Sequence, residues 1–127
     1  MQIRVYYEDT DCGNVVYYAT YLGYMERSRT EFLRERGVDL AAYHAGGLLF
    51  AVTEAHVYYK GPARYNDLLD VTSTVAEVTP ASILFTTTIK KANDDRILVK
   101  GDVRLACITP NGRAGRIPEE IKKAVTS

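Results

Sequence analysis

The spacing of hydrophobic residues changes from a period of two to a helical period soon after the N-terminus. Apolar and polar residues alternate over positions 2–7, which predicts a short half-buried strand. A helix is predicted next, with Thr20 as its N-cap and Gly37 as the residue that follows its end. Its apolar face recurs at spacings of three and four residues, at Tyr21, Leu22, Met25, Ser28, Phe32 and Leu33.

Beyond the helix, four strand-like runs follow one another, separated by turn-forming residues. They cover residues 49–59, 69–78, 83–90 and 97–108. The short connections make antiparallel neighbours of the last three runs, and Pro118 suits the first position of a short terminal helix. This order predicts a single α+β domain over residues 1–127, in which a five-stranded antiparallel sheet wraps a central helix.

The two longest runs, 49–59 and 97–108, are predicted to leave exposed edges of the sheet. An exposed strand edge presents unpaired backbone groups, which proteins cover or pair. We therefore expect a second subunit to join at one of these runs.

Composition narrows the class of protein. The chain has 127 residues with 16 acidic and 16 basic side chains, and this balance argues against a protein built to bind nucleic acid or a membrane surface.

Two cysteines are too few for a disulfide framework, and no apolar run suits a signal peptide or a transmembrane span, so a cytoplasmic protein is expected. Ten tyrosines suit a core, an interface or an aromatic pocket.

The loop before the helix, residues 7–19, is rich in carboxylates and turn formers. The first N–H groups of a helix have no intrahelical partner and carry partial positive charge, so they stabilise an oxyanion. A carboxylate held just before them, such as Asp11, would face a carbonyl in the arrangement that acyl transfer needs. From the residues alone, the alternative that these acids only shape turns stays open.

Two segments resemble the 4-hydroxybenzoyl-CoA thioesterase family, in particular its YbgC-type branch. Residues 7–18 read Tyr-Glu-Asp-Thr-Asp-Cys-Gly-Asn-Val-Val-Tyr-Tyr, followed by Tyr21-Leu22, Glu26-Arg27 and Arg29. Residues 59–67 read Tyr-Lys-Gly-Pro-Ala-Arg-Tyr-Asn-Asp, similar to a Tyr-x-x-Pro-Ala-x-x-x-Asp segment of the family. The order of the predicted elements is also that of the family's hotdog fold.

The resemblance implies hydrolysis of an acyl-CoA thioester. Asp11 would be the catalytic carboxylate, either as a nucleophile or as a general base, and the backbone N–H of Tyr18 would polarise the thioester carbonyl. The YbgC-type branch usually has His at the position of Tyr18, a departure that concerns the substrate more than the mechanism. Asn14 stands where the pattern prefers Gly, and asparagine tolerates a positive φ better than most residues.

Substrate contacts are expected from the same two segments and from a basic pair in the third strand-like run. The basic residues would meet the phosphates of coenzyme A, with ordinary surface charge as the alternative. The predicted substrate-binding residues are Gly13, Asn14, Val16, Tyr17, Lys60, Pro62, Arg64, Lys90 and Lys91.

Other candidate residues do not form a recognisable catalytic or metal site. Cys12 has no histidine near it in sequence, and His44 and His56 make no metal-binding pattern, so neither a thiol nucleophile nor a metal is expected. No cofactor is expected, since the coenzyme A thioester is the substrate.

The resemblance also implies a homodimer with sheets paired side by side and active sites at the interface, and further assembly into a homotetramer. Two alternatives to acyl-CoA hydrolysis stay open. One is hydrolysis of an acyl-ACP thioester, and the other is a non-catalytic hotdog module that binds acyl-CoA or a protein partner. Enoyl hydration is disfavoured, because no suitable histidine accompanies Asp11.

Overall fold

The computed structural model describes residues 1–126. One long helix lies against a sheet of five antiparallel strands, which confirms the α+β prediction and the hotdog architecture. None of the helices in this range is long and apolar enough to cross a membrane. The elements are β1 (Gln2–Arg4), a 3₁₀ turn (Tyr7–Asp9), α1 (Thr20–Glu35), α2 (Leu40–Ala45), β2 (Leu49–Tyr59), β3 (Leu68–Val78), β4 (Ser82–Lys91), β5 (Ile97–Ile108) and α3 (Glu119–Thr126).

The strands lie in the order β1-β3-β4-β5-β2 across the sheet. Strands β3, β4 and β5 form the antiparallel meander that the short turns predicted. Strand β2 pairs with β5, from Leu49 opposite Ile108 to Tyr59 opposite Val99. The prediction of an edge at 97–108 was therefore wrong, because β2 covers that side of β5 and the edges are β1 and β2.

The buried face of α1 is rotated slightly from the predicted one. Tyr24 and Arg29 are buried, whereas Leu22 is 40% exposed and Phe32 is half-buried. The other predicted positions are buried as expected, namely Tyr21, Met25, Ser28 and Leu33. The helix is thus covered by the sheet along most of its length.

A ladder of hydroxyl groups joins α1 to two strands of the sheet. Ser28 Oγ lies 2.7 Å from Ser73 Oγ in β3, and Ser73 Oγ lies 2.8 Å from Thr87 Oγ1 in β4. All three side chains are buried. Their mutual hydrogen bonds offset the cost of taking hydroxyl groups out of water.

The C-terminal end of α1 is closed by the glycine that the sequence predicted. Gly37 has a φ of 82°, and its N–H donates to Arg34 O at 3.0 Å. The N–H of Val38 donates to Leu33 O at 2.9 Å, which completes a Schellman motif. Val38 and Leu33 belong to the same buried apolar cluster, as that motif favours.

The N-terminal end of α1 differs from the prediction. Thr20 is the first residue of the helix, and the N-cap is Ala19, whose side chain accepts no hydrogen bond. The prediction of Thr20 as the N-cap was wrong, because the chain enters the helix one residue earlier.

Strand β2 is the most exposed strand of the sheet. Its large apolar side chains Leu49, Val52, Tyr58 and Tyr59 are between 46% and 55% exposed. An apolar edge of this kind favours pairing with another chain.

Gly101 in β5 allows Met25 of α1 to approach the sheet closely. A Cβ atom at position 101 would lie 2.5 Å from Met25 Sδ and 2.7 Å from Met25 Cε. Met25 is fully buried, so its side chain has little space into which to move. We expect Gly101→Ala to lower the free energy of unfolding by ~1–3 kcal/mol, measured by urea denaturation.

Gly23→Ala in α1 is the matched control for this substitution. Nothing lies within 4 Å of a Cβ atom at that position. Alanine is favoured over glycine inside a helix by ~0.5–1 kcal/mol, so Gly23→Ala should raise the urea midpoint. A Gly101→Ala protein with the midpoint of the unchanged chain would contradict the packing argument.

Candidate active site

The loop that precedes α1 folds back on itself as a narrow hairpin. Two backbone hydrogen bonds close it, from Asp11 N–H to Val15 O and from Tyr17 N–H to Asp9 O, both at 2.9 Å. The turn at residues 12–14 forms its tip. Asp11 therefore lies beside the turn, at the exposed end of the hairpin.

Asp11 takes part in this turn through both its backbone and its side chain. Its Oδ1 accepts a hydrogen bond from Gly13 N–H at 2.8 Å, and its carbonyl accepts one from Asn14 N–H at 3.0 Å. A Cβ atom on Gly13 would lie 3.1 Å from Asp11 Oδ1, so glycine keeps this approach unhindered. Asn14 has a φ of 63°, a conformation that asparagine tolerates. The Oδ2 atom makes no hydrogen bond to any described residue and is available to react.

The hairpin is attached to the segment that follows β2. Val16 is 3% exposed, and its N–H donates to Ala63 O at 2.8 Å. The N–H of Ala63 donates in turn to the hydroxyl of Tyr21 in α1 at 3.1 Å. The two segments 7–18 and 59–67, distant in sequence, are therefore in direct contact at the start of the helix.

Tyr18 lies between the hairpin and α1, and its backbone N–H has no acceptor among residues 1–126. The groups on either side are held in place. Thr20 N–H donates to Tyr17 O at 2.9 Å, and the Tyr59 hydroxyl donates to Tyr18 O at 3.0 Å. A fixed and unpaired N–H beside a helix N-terminus suits an oxyanion.

Tyrosine rings wall a cavity of about 300 Å³ beside Tyr18. The Tyr59 ring centroid lies 6.4 Å from that of Tyr18 and 5.8 Å from that of Tyr21. Burial is the main cause that raises the pKa of the Tyr21 and Tyr59 hydroxyls, so both are protonated at neutral pH. The residues that line this aromatic cavity are Val15, Val16, Tyr18, Tyr21, Tyr59, Lys60, Gly61 and Pro62.

A second cavity, of about 320 Å³, adjoins the aromatic cavity and shares residues 60–62 with it. Four cationic side chains and one carboxylate line it, which makes it strongly basic. Its charged residues are Lys60, Arg64, Asp67, Lys91 and Arg96. Lys91 Nζ lies 3.6 Å from Asp67 Oδ1 and Arg96 Nη2 lies 3.9 Å from Asp94 Oδ2, so two of the four cations are partly neutralised.

Comparison with known proteins now identifies the family. A model of the thioesterase-like superfamily matches residues 5–125. The chain belongs to this superfamily. This match confirms the family resemblance indicated by residues 7–18 and 59–67.

Relatives with closely similar sequences are thioesterases by name. The acyl-CoA thioester hydrolase YbgC of Escherichia coli O6:H1 is 38% identical over 108 residues, which cover 85% of this chain and 80% of that protein. The acyl-CoA thioesterase YbgC of Haemophilus influenzae is 38% identical over 124 residues, or 96% of this chain and 90% of the relative.

Solved structures of other proteins have the same fold. Hypothetical protein TT1821 of Thermus thermophilus superposes with a TM-score of 0.92 at 31% identity, covering 99% of this chain and 95% of that one. A 1,4-dihydroxy-2-naphthoyl-CoA thioesterase from Synechocystis gives a TM-score of 0.93 at 21% identity, over 98% of this chain and 93% of that one. The second likeness bears on the fold alone.

The residues predicted to form the site of this thioesterase-like chain fall into two groups. The aromatic and basic cavities are lined by Val16, Tyr18, Lys60, Pro62, Arg64 and Lys91. Neither cavity is lined by Asp11, Gly13, Asn14, Tyr17 or Lys90. One chain therefore does not enclose a site around Asp11.

Lys90 and Lys91 are neighbours in β4 but differ in position. Successive side chains of a strand point to opposite faces of the sheet. Lys91 consequently reaches the basic cavity, whereas Lys90 does not line it.

The Asp11 carboxylate is one of the charged groups that act on Tyr17. The pKa of the Tyr17 hydroxyl is raised, chiefly by the neighbouring Tyr18 hydroxyl and to a smaller extent by the charge of Asp11. The two tyrosine rings lie 4.8 Å apart. The charge of Asp11 therefore acts on the Tyr17 hydroxyl.

Three other candidate residues line neither cavity. Cys12 is exposed at the tip of the hairpin. His56 Nε2 lies 3.2 Å from Glu54 Oε2, both in the exposed part of β2, and His44 is exposed in α2. Within residues 1–126, no group of three or more His, Cys, Asp or Glu side chains is placed to hold a metal ion.

Sequence reasoning did not assign a role to Arg96 or Tyr59. Arg96 follows the turn at 93–95, and the turn signal carries no information on proximity to residues 60–67. Tyr59 begins the segment that resembles the family, but its contact with Tyr18 depends on where β2 ends in space.

Proposed function

We propose that this protein hydrolyses acyl-CoA thioesters, with Asp11 as the catalytic carboxylate and Tyr18 N–H as the oxyanion donor. The proposal rests mainly on one observation. An available Asp11 Oδ2 lies on the hairpin that is fixed at the start of α1, and an unpaired Tyr18 N–H lies between this hairpin and the helix. The names of the YbgC relatives support the substrate class.

Tyr18 N–H would donate a hydrogen bond to the thioester oxygen and stabilise the negative charge that develops on it. As a general base, Asp11 takes a proton from water while the new C–O bond forms. The C–S bond then breaks, and the coenzyme A thiolate is protonated. As a nucleophile, Asp11 forms a mixed anhydride as the C–S bond breaks, and water then hydrolyses this anhydride.

The two adjoining cavities suit the two ends of an acyl-CoA. The basic cavity offers Lys60, Arg64 and Arg96 to the phosphates of the nucleotide. The tyrosine-walled cavity suits the apolar part of the molecule. An acyl carrier protein presents fewer phosphates at this point, so the number of cations favours acyl-CoA over acyl-ACP.

We further propose that the active unit is a homodimer in which β2 pairs with β2 of a second copy. Strand β2 has a free edge with exposed apolar side chains such as Val52. On α1, Arg29 is 6% exposed, burial lowers its pKa more than the charge of Glu26 raises it, and no carboxylate in the described part of the chain forms an ion pair with it within 4 Å. A second copy would cover the edge, offer partners to Arg29 and wall the open side of Asp11.

Asp11→Asn tests the proposed chemistry while it preserves the turn. The amide oxygen still accepts a hydrogen bond from Gly13 N–H, but the negative charge is lost. We expect kcat to fall by at least ~10²-fold and the free energy of unfolding to change by less than ~0.5 kcal/mol. The measurement is thiol release from aromatic, short-chain and long-chain acyl-CoAs, with urea denaturation to check the fold.

Cys12→Ala is the matched control, because Cys12 is adjacent and exposed. It should retain most of the activity. Near-normal turnover by a folded Asp11→Asn protein would refute the assignment of Asp11. Binding of acyl-CoA by the unchanged protein without thiol release would instead favour a non-catalytic module.

Replacing Lys60 and Arg64 together by alanine tests the basic cavity. Phosphate contacts are similar in the ground and transition states, so KM should rise more than kcat falls. The rise in KM should be smaller for an acyl-pantetheine, which lacks the nucleotide. Lys90→Ala is the control and should leave KM unchanged, since Lys90 does not line the cavity. A large loss of kcat at constant KM would place the two residues elsewhere in the mechanism.

The assembly proposal is tested by sedimentation at micromolar concentration. The unchanged protein should be a dimer or a larger even-numbered oligomer. Val52→Lys puts a charge on the β2 edge and should shift the protein towards monomer with a parallel loss of activity. Ala41→Lys, on the exposed face of α2, should do neither. A fully active monomer would exclude a shared site.

A further inference from the structure

We propose that Tyr59 is a positioning residue that aims the Tyr18 N–H at the thioester oxygen, an inference that rests on the proposed function. The Tyr59 hydroxyl donates to Tyr18 O at 3.0 Å, although 41 positions separate the two residues in the chain. Among residues 1–126, no other side chain donates to this carbonyl. The bond connects the end of a strand to the segment that carries the oxyanion donor.

Tyr59 is itself held rigidly. It is the last residue of β2 and lies opposite Val99 of β5. The two residues that follow, Lys60 and Gly61, both donate from their N–H groups to Leu98 O, at 2.8 and 3.1 Å. The hydroxyl therefore extends from a strand end whose backbone is fixed on both sides, which gives it a defined direction.

The carbonyl of Tyr18 and its N–H belong to two successive peptide planes. The first plane consists of the Tyr17 carbonyl and the Tyr18 N–H. It is held by Thr20 N–H, which donates to Tyr17 O at 2.9 Å. Among the described residues, the second plane accepts a hydrogen bond only from Tyr59. A single bond at one carbonyl lets a peptide plane rock about it, so the second bond, on the adjoining plane, restricts the torsions of Tyr18 and with them the direction of the N–H. Without the Tyr59 hydroxyl, this second restraint is lost.

The ring and the hydroxyl of Tyr59 have separate roles. The ring lines the aromatic cavity and lies near the rings of Tyr18 and Tyr21. The hydroxyl is the group that meets the Tyr18 carbonyl, and its raised pKa keeps it protonated as a donor at neutral pH. Tyr59→Phe removes the hydroxyl and keeps the ring, so it separates the positioning role from cavity lining.

The experiment compares Tyr59→Phe with Tyr58→Phe in the full chain. Tyr58 is the adjacent strand residue, faces the other side of the sheet and makes no side-chain hydrogen bond within the described residues. For Tyr59→Phe we expect kcat to fall by about 10-fold, less than the ~10²–10³-fold that follows loss of an oxyanion donor itself. KM and the shape of the kcat–pH profile should stay unchanged. Tyr58→Phe should match the unchanged protein.

A second readout is independent of turnover. In ¹⁵N NMR spectra of Tyr59→Phe, the amide signals of Tyr18 and Ala19 should shift, because the carbonyl between them loses its hydrogen bond. Melting temperatures should show that both variants remain folded, since the aromatic rings are retained.

Several outcomes would overturn the positioning role. These are unchanged kcat in Tyr59→Phe, an equal fall in Tyr58→Phe, or a rise in KM alone, which would indicate direct substrate contact. Loss of one limb of the kcat–pH profile would show that Tyr59 transfers a proton instead. Failure of the unchanged protein to release thiol from any acyl-CoA would refute the proposed function, whereas a Tyr59→Phe protein with unchanged kcat refutes only the present inference.

Discussion

The site depends on the backbone pairing between the hairpin before α1 and the segment after β2. Val16 donates to the carbonyl of Ala63, and Ala63 donates to the hydroxyl of Tyr21. Both bonds are buried, where an unpaired backbone group is costly, so the contact has few alternatives. It holds the surface hairpin that carries Asp11 against the first turn of the helix. The proposed role of Asp11 depends on this contact.

Local structure was largely predictable from the sequence, because strand alternation, helix spacing and the glycine at position 37 act over a few residues. Strands β2 and β5 have the predicted limits, and the Schellman motif forms where Gly37 indicated. Contacts between distant segments were less predictable. Neither the pairing of β2 with β5 nor the position of Arg96 beside residues 60–67 follows from short-range patterns. Asp11 was singled out by physical reasoning only as a candidate, and the family resemblance gave it greater weight.

The sequence left open whether Asp11 shapes a turn or serves as the catalytic carboxylate. The structure is compatible with both roles. One carboxylate oxygen accepts a hydrogen bond within the turn, while the other makes none. The turn restricts the side chain, so less conformational freedom remains to be lost when a substrate binds. In this arrangement, the structural role of Asp11 prepares its proposed chemical role. Because the hairpin tip is exposed, water would be excluded by the substrate and by the proposed second subunit.

The hydroxyl ladder between Ser28, Ser73 and Thr87 has a consequence for the orientation of the helix. Apolar packing tolerates small rotations of a helix about its own axis, because it is not directional. Hydrogen bonds of 2.7 and 2.8 Å do not tolerate them, because their strength depends on angle and distance. The ladder thus sets the rotational register of α1 on the sheet. It lies about two helical turns from the N-terminal end of α1, beside which the active site is proposed, so the direction that this end presents depends on the ladder.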